Sequence, residues 1–164
     1  MREILFSAEE LRDTQKDPGC ITVDCRHYLD RPGDGYRNYL RGHIPGATYA
    51  HLDEDLSSTI TGTSGRHPLP EAGAFAAFLA RSGWSPGKIL VAYDDAGGAI
   101  AARLWWLMKY FGHDCAALLD GGIDAWQRAG FELESGVSEA MPQTAIKLVA
   151  EEGLALSTQA LEQA

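Results

Sequence analysis

Short apolar runs recur along the chain, and four of them predict β-strands. KILVAY (88–93) follows Pro86-Gly87 and shows no polar alternation, which is typical of a strand buried on both faces of a parallel sheet. CITVD (20–24) is β-rich and ends on a charged residue. CAALL (115–119) is a third candidate, and ATYAHL (47–52) is a fourth with a weaker pattern.

Helical periodicity occupies the stretches between these runs. Phe75, Phe78 and Leu79 repeat at helical spacing within 71–81, and 98–111 predicts a strongly apolar helix. IDAWQRAG (123–130) predicts a further helix after CAALL. Strands that alternate with helices predict an α/β fold with a parallel sheet and helices on both faces.

The remaining segments are defined by caps and turns. LFSAEELRDTQ predicts a helix start because Ser7 and Glu10 have the spacing of a capping box. RPGDGYRNYLRGHIPGA (31–47) is turn-rich, with one helical turn expected in its middle, and TITGTSGRHPLP (59–70) predicts a loop.

Composition narrows the class of protein. The 164 residues suffice for one domain with its own core, and 45% hydrophobic and 23% charged residues are ordinary for a globular protein. The net charge of −9 argues against nucleic acid as a partner, although a local group of arginines can still serve a small anionic substrate. No stretch approaches the length of a membrane span, and no signal-peptide pattern follows Met1. The three cysteines form no CxxC pair, so the sequence predicts no disulfide framework and no zinc site, and no other cofactor is expected. A reducing, cytoplasmic setting is expected.

The last thirty residues differ from the rest in pattern. ESGVSEAMPQTA (134–145) is polar and aperiodic, like a linker. Beyond it, LALSTQALE (154–162) repeats the apolar-x-apolar-Ser-x-x-x-Leu pattern of ILFSAEELR (4–12). We therefore expect three parts, which are a domain over 1–133, a linker over 134–150, and the start of a second, absent repeat over 151–164.

The chemistry of the chain centres on LVAYDDAGGAIAARLWW (90–106), where a strand runs through a glycine-containing loop into a helix. Unpaired N–H groups and the helix dipole make such a loop an anion site, and ligands of parallel sheets bind at this edge. A cysteine placed there would be activated as a thiolate. Asp94 instead is expected to fill the site with its own carboxylate, as an N-cap would. The alternative is that Asp94 and Asp95 form an acid/base, metal or phosphoryl-transfer pair, although adjacent residues after a strand point in divergent directions.

Several motifs then combine into a resemblance. VDCRHYLDRPGDGYRNYLRGHIPGA (23–47) and LLDGGIDAWQRAG (118–130) resemble the signatures of rhodanese-like domains, and the 90–106 stretch with RLWW resembles the N-terminal domain of two-domain thiosulfate and 3-mercaptopyruvate sulfurtransferases. The match covers about residues 3 to 132 in order. It implies a rhodanese-like fold with about five parallel strands. In that family a second domain carries the catalytic cysteine, and the N-terminal domain has an acid at the corresponding position, here Asp94.

The resemblance also suggests roles for particular residues. His67 and Arg66, in GRHPLP, and Asp95 would line the rim of a substrate cleft, although a solvated loop is the alternative. The framework residues would be Asp24, Arg26, His43, Arg103, Trp106, Asp120, Gly121, Gly122 and Trp126. Plainer interpretations are an exposed Asp24–Arg26 pair, a turn histidine, and a core Trp126. Arg103 would pair with an acid or stack on Trp106, while either Trp105 or Trp106 would face a partner domain.

Three functional hypotheses follow. The first is the non-catalytic half of a sulfurtransferase, inactive alone, whose partners are a catalytic rhodanese domain and a small anionic sulfur donor, with transfer through a cysteine persulfide. The second is a freestanding, catalytically inactive binding or regulatory module. The third is a phosphoryl-transfer enzyme that uses Asp94 and Asp95. Cys25, beside Arg26, is the one candidate to replace the missing catalytic cysteine as nucleophile, but no glycine-rich loop surrounds it.

Overall fold

The computed structural model describes residues 4–139, 144–151 and 153–155. Within this part of the chain the strands are Leu5–Phe6 (β1), Cys20–Asp24 (β2), Thr48–Tyr49 (β3), Ile89–Tyr93 (β4) and Ala116–Leu119 (β5). The helices are Ala8–Thr14 (α1), Pro32–Arg41 (α2), Ala72–Arg81 (α3), Ala101–Tyr110 (α4) and Gly122–Arg128 (α5).

All five strands form one parallel sheet in the order β1-β5-β4-β2-β3. The α/β class with about five parallel strands is therefore confirmed. The longest register joins β2 to β4, from Cys20 opposite Ile89 to Asp24 opposite Tyr93. Because the strands are parallel, their carboxyl ends lie at a single edge, which brings the residues after β2, β3 and β4 together.

Two apolar cores cover the two faces of the sheet. Leu90 and Ala92 of β4 belong to the core built with α3 and α4, whereas Val91 and Tyr93 belong to the core built with α1 and α5. The alternation along one strand shows why KILVAY has no polar position, since both faces are covered. Helices on both faces are confirmed.

Two elements differ from the sequence prediction. Leu5–Phe6 pairs with β5 as an edge strand, where only a helix start was predicted. In the turn-rich segment, α2 is a ten-residue helix rather than a single turn. Pro32 in its first turn is well placed to start it, but its glycines hide the helical pattern. Gly35 is needed for close packing, because a Cβ there would lie 2.1 Å from the carbonyl oxygen of Arg26.

The chain after β5 packs on the domain where it is described. Glu134 forms an antiparallel bridge with His43, and Leu148 is 8% exposed against the α3–α4 core. The backbone N–H of Glu151 donates to the carbonyl of Tyr110 at 2.8 Å. The division at 133 and 150 stays a prediction, and most of the expected second repeat, at 156–164, lies outside the described residues.

Candidate functional site

The loop between β4 and α4 closes around one carboxylate. Asp94 is 1% exposed, and its Oδ1 accepts the backbone N–H groups of Ala96 at 2.9 Å and Gly98 at 2.8 Å. Its Oδ2 accepts those of Ile100 and Ala101, both at 2.8 Å. Four N–H groups thus point at one anion, two of them at the start of α4, where N–H groups have no partner within the helix. Asp94 fills the anion position from within the chain.

The cap arises differently from the sequence interpretation. Ile100 occupies the N-cap position of α4 and has no side-chain cap. Asp94 instead reaches the N–H groups of Ile100 and Ala101 from six and seven residues earlier, because the loop folds back over the carboxylate.

The neighbouring carboxylate belongs to different surroundings. Asp95 is exposed and accepts a hydrogen bond from the hydroxyl of Tyr28, which in turn accepts the amide of Asn38 at 2.9 Å. Burial and then the hydrogen bond with Asp95 raise the pKa of Tyr28. Asp94 and Asp95 share no hydrogen-bond partner among the described residues. The geometry therefore gives no paired carboxylates for acid/base or phosphoryl chemistry.

Asp24 and Arg26 form a buried ion pair rather than an exposed one. The Nη2 atom of Arg26 lies 2.6 Å from Oδ2 of Asp24 and also donates to the carbonyl of Gly42 at 2.7 Å. Tyr93 donates its hydroxyl to the same Asp24 oxygen at 2.8 Å, and accepts the N–H of Ile44 at 3.2 Å. Burial raises the pKa of Asp24, against the bonds from Arg26 and Tyr93. The pair ties the ends of β2 and β4 to the Gly42–Ile44 turn.

His43 is fully buried in that turn. Its Nδ1 donates to the carbonyl of Tyr39 at 2.8 Å, and its Nε2 lies 2.9 Å from the hydroxyl of Ser138. Glu134 lies 3.5 Å from the same Nε2. Each contact is with a neighbouring turn or the following segment, which gives His43 a structural position.

Among the described residues, Arg103 binds neither an acid nor Trp106, in contrast to the sequence interpretation. Its Nε donates to the carbonyl of Leu56 at 2.8 Å, and its Nη2 donates to the carbonyls of His67 and Pro68 at 2.9 and 3.0 Å. Burial lowers the pKa of Arg103. This side chain attaches the GRHPLP loop to α4, one turn after the Asp94 loop.

The two tryptophans on α4 have different neighbours. Trp106 stacks on Tyr110 with ring centroids 5.1 Å apart and packs against the α3–α4 core. Trp105 lies beneath the ammonium of Lys109, 5.3 Å from the ring centroid. Both indoles are partly exposed, so whether either faces a partner domain stays a prediction.

The Asp120-Gly121-Gly122 turn packs against the Asp94 loop. The N–H of Ile123 donates to the carbonyl of Asp94 at 3.1 Å, and a Cβ on Gly122 would lie 2.1 Å from that oxygen. The φ of Gly122 is +56°, in the left-handed region. Asp120 is exposed, and Trp126 is buried with its Nε1 donating to the carbonyl of Glu132 at 2.9 Å. This turn fixes the loop from behind.

The expected rim contains one pair that the sequence did not reveal. Nδ1 of His67 lies 3.2 Å from Oδ1 of Asp53, without the alignment of a hydrogen bond. Arg66, next to His67, is exposed. The sequence analysis did not identify Asp53, because the strand before it has only two residues. Its position directly after ATYAHL was the signal that could have placed it at this edge of the sheet.

Neither Cys25, just after the carboxyl end of β2, nor Cys20, at the opposite end of that strand, is activated. Cys25 is fully buried, and burial, then Asp24 and Asp94, raises its pKa well above the ordinary value. Burial also raises the pKa of Cys20 to about 11. Full burial and a raised pKa leave Cys25 without the accessible thiolate that a substitute nucleophile needs. Cys115 precedes β5 and so lies at the opposite edge of the sheet from Asp94.

Among the helices in the described ranges, none is long and apolar enough to cross a membrane.

Comparison with known proteins agrees with this architecture. The model of the rhodanese-like domain family matches residues 7–129. A probable 3-mercaptopyruvate sulfurtransferase of Pseudomonas aeruginosa is 42% identical over 140 residues, which is 84% of this chain and 49% of that protein. The human 3-mercaptopyruvate sulfurtransferase is 36% identical over 138 residues, 82% of this chain and 46% of that protein.

Solved structures give the same result. The crystal structure of SseA from Escherichia coli, from the 3-mercaptopyruvate sulfotransferases, superposes with a TM-score of 0.85 at 28% identity, covering 99% of this chain and 61% of that one. The 3-mercaptopyruvate sulfurtransferase from Leishmania major has a TM-score of 0.81 at 30% identity, covering 91% of this chain and 41% of that one. The chain spans about half the length of the curated relatives that it matches. It belongs to the rhodanese-like domain family, and its relatives are thiosulfate and 3-mercaptopyruvate sulfurtransferases.

Proposed function

We propose that this chain is the non-catalytic half of a two-domain sulfurtransferase, with a second rhodanese-like domain as its partner. The observation that carries the proposal is the carboxylate of Asp94, which accepts all four N–H groups directed into the β4–α4 loop. Relatives about twice as long support the two-domain arrangement.

The chemistry of sulfur transfer explains why the filled loop matters. A thiolate attacks the outer sulfur of thiosulfate, a new S–S bond forms, and sulfite leaves with the electrons of the broken bond. A second thiophile then removes that sulfur from the persulfide. N–H groups arranged around the attacking thiolate lower its pKa, and in this chain a permanent carboxylate uses them. We therefore assign the persulfide to a cysteine of the partner domain.

In this proposal the chain supplies side chains to one wall of the substrate cleft between the two domains. The carbonyl of His67 accepts from Arg103, and its ring lies beside Asp53. His67, the exposed Arg66 and the exposed Asp95 follow β3 and β4, at the same edge of the sheet as the Asp94 loop. An exposed guanidinium and an imidazole suit a small anionic donor such as thiosulfate or 3-mercaptopyruvate. The thiols of Cys20 and Cys25 are free, which suits a reducing, cytoplasmic setting.

The reading frame after residue 164 tests the arrangement directly. We expect a second rhodanese-like repeat with a cysteine at the position equivalent to Asp94. In the full protein, a Cys→Ser change in that repeat should abolish sulfur transfer to cyanide, whereas Asp94→Asn should retain it in the fraction that folds. A stop codon with no such repeat nearby contradicts the proposal.

A second candidate, a freestanding binding module, is favoured by the packing of the segment after 143. Leu148 is buried against the α3–α4 core, and Glu151 bonds to Tyr110, as expected for a domain that covers its own surface. Size-exclusion chromatography of the chain separates the two candidates. A freestanding module should elute as a monomer at every concentration, whereas a half that lacks its partner should self-associate through the uncovered interface.

A further inference from the structure

Three side chains that follow β2 and β3 meet outside the Asp94 loop. His27 lies three residues beyond the end of β2, and His51 lies two residues beyond the end of β3. Because Asp24 pairs with Tyr49 in register, the parallel strands deliver both imidazoles to the same place. Their ring centroids are 5.4 Å apart, edge to face, and Asp53 lies beside them. The nearest ligand atoms of His27, His51 and Asp53 are all within 4.8 Å of one another.

His27 is a buried side chain that the protein leaves unsatisfied. Its side chain is 2% exposed, and its buried Nδ1 has no hydrogen-bond partner among the residues that the structure describes. Nε2 faces Oδ2 of Asp53 at 3.8 Å, beyond hydrogen-bond distance. Nε2 is therefore the nitrogen that faces Asp53 and would coordinate an ion, while Nδ1 stays without a partner in the described part of the chain.

Two of the three side chains are accessible from the surface of the domain. His51 is half-buried and lines a surface cavity of about 730 Å³, and the side chain of Asp53 is 43% exposed. Nδ1 of His51 accepts the N–H of Asp53 at 3.2 Å, which leaves Nε2 of the same ring to coordinate an ion. Asp53 has a second oxygen, Oδ1, which faces His67 and would hold that imidazole beside the ion.

We propose that His27, His51 and Asp53 bind a zinc-class divalent cation, with the fourth position open to water or a small anion. Two imidazoles and one carboxylate are the donor set of open zinc sites, and imidazole favours zinc, copper and nickel over magnesium and calcium. The sequence predicted no metal site because it offered no CxxC pair; these ligands are brought together only by the pairing of β2 with β3.

Calorimetric titration of the tag-free chain with Zn²⁺, in a buffer that does not chelate, tests the site. We expect one equivalent to bind, and His51→Asn and Asp53→Asn each to raise the dissociation constant at least about tenfold. The matched control is His113→Asn, since His113 packs edge-on against Trp84 away from the cluster. The Zn²⁺ affinity of this variant should equal that of the unmodified chain. The unfolding midpoints of His51→Asn and Asp53→Asn should equal that of the unmodified chain, which shows that a loss of Zn²⁺ binding does not come from misfolding.

Co²⁺ in place of Zn²⁺ identifies the donors. Nitrogen and oxygen ligands in a tetrahedral site give visible bands without a thiolate charge-transfer band. A thiolate band would assign the ion to a cysteine and overturn the proposal. Equal affinity of His51→Asn, Asp53→Asn and the unmodified chain would overturn it as well. Neither result depends on the sulfurtransferase proposal.

Discussion

The carboxylate of Asp94 accepts four backbone N–H groups and is 1% exposed, whereas that of Asp53, at the same edge of the sheet, is 43% exposed and faces two imidazoles without an aligned hydrogen bond. The difference comes from the backbone around each acid. A long strand and a helix meet at Asp94 and direct N–H groups inward, whereas Asp53 follows a strand of two residues. The first site is complete without a ligand, and the second has unused donors. A structural acid thus differs from one able to bind a ligand in the backbone hydrogen bonds that its carboxylate accepts, as well as in its burial.

The same substitution at both acids should give very different results. Asp94→Ala leaves four N–H groups without an acceptor, so we expect it to lower the free energy of unfolding by about 3–5 kcal/mol. Asp53→Ala should cost less than about 1 kcal/mol, because its carboxylate is partly exposed and forms no aligned hydrogen bond with either imidazole. Urea unfolding of both variants measures the two losses. Similar losses would remove the distinction between a closed and an open site.

The turn behind the Asp94 loop offers a second comparison. Gly122→Ala would place a Cβ 2.1 Å from the carbonyl oxygen of Asp94, so the loop must shift, and we expect a loss of about 2–3 kcal/mol. Gly130 is the control, since its φ of +78° is also positive but no atom lies within 4 Å of the position that a Cβ there would occupy. Gly130→Ala should cost only about 1 kcal/mol of backbone strain. Thermal unfolding separates the two, and equal losses would mean that the contact with Asp94 does not matter.

Arg103 connects the helix after the Asp94 loop to the loop that carries His67, so its removal should have a smaller effect than the changes above. Arg103→Met keeps much of the side-chain volume but removes the guanidinium donor from the carbonyls of Leu56, His67 and Pro68, of which Pro68 keeps the N–H of Ser58. We expect about 1–2 kcal/mol of destabilisation, because water can replace part of these bonds. Amide hydrogen exchange should show faster exchange in the loop at 56–68 and unchanged protection at Ile100 and Ala101. Faster exchange at both places would show that the Asp94 loop depends on this link.

The sequence specified the fold wherever local pattern and tertiary environment agree. CITVD is β2 as predicted, and Ser7 with Glu10 forms the predicted capping box, at 2.7 and 3.2 Å. Helix α2 was underestimated because Gly33 and Gly35 lower its apparent helix propensity, while Gly35 is required for contact with Arg26. Local pattern carries no information on such a contact.

The candidate site divides in the same way. Asp94 was visible because strand, loop and helix are contiguous in sequence around it. The interpretation of Asp24 and Arg26 as an exposed pair was wrong, because distant segments bury them. The expectation of an acid partner for Arg103 was also wrong, because its partners are carbonyls of a distant loop. His27, His51 and Asp53 escaped notice because the register of β2 with β3 brings them together across 24 residues.

The central claim is that the filled Asp94 loop leaves this chain without sulfurtransferase activity of its own. The most direct test is the rate of thiocyanate formation from thiosulfate and cyanide with the purified, unmodified chain. We predict a rate equal to that of buffer alone, and equal to that of a chain in which Cys20, Cys25 and Cys115 are all serine. Sustained turnover by the unmodified chain, lost in the cysteine-free variant, would contradict the account.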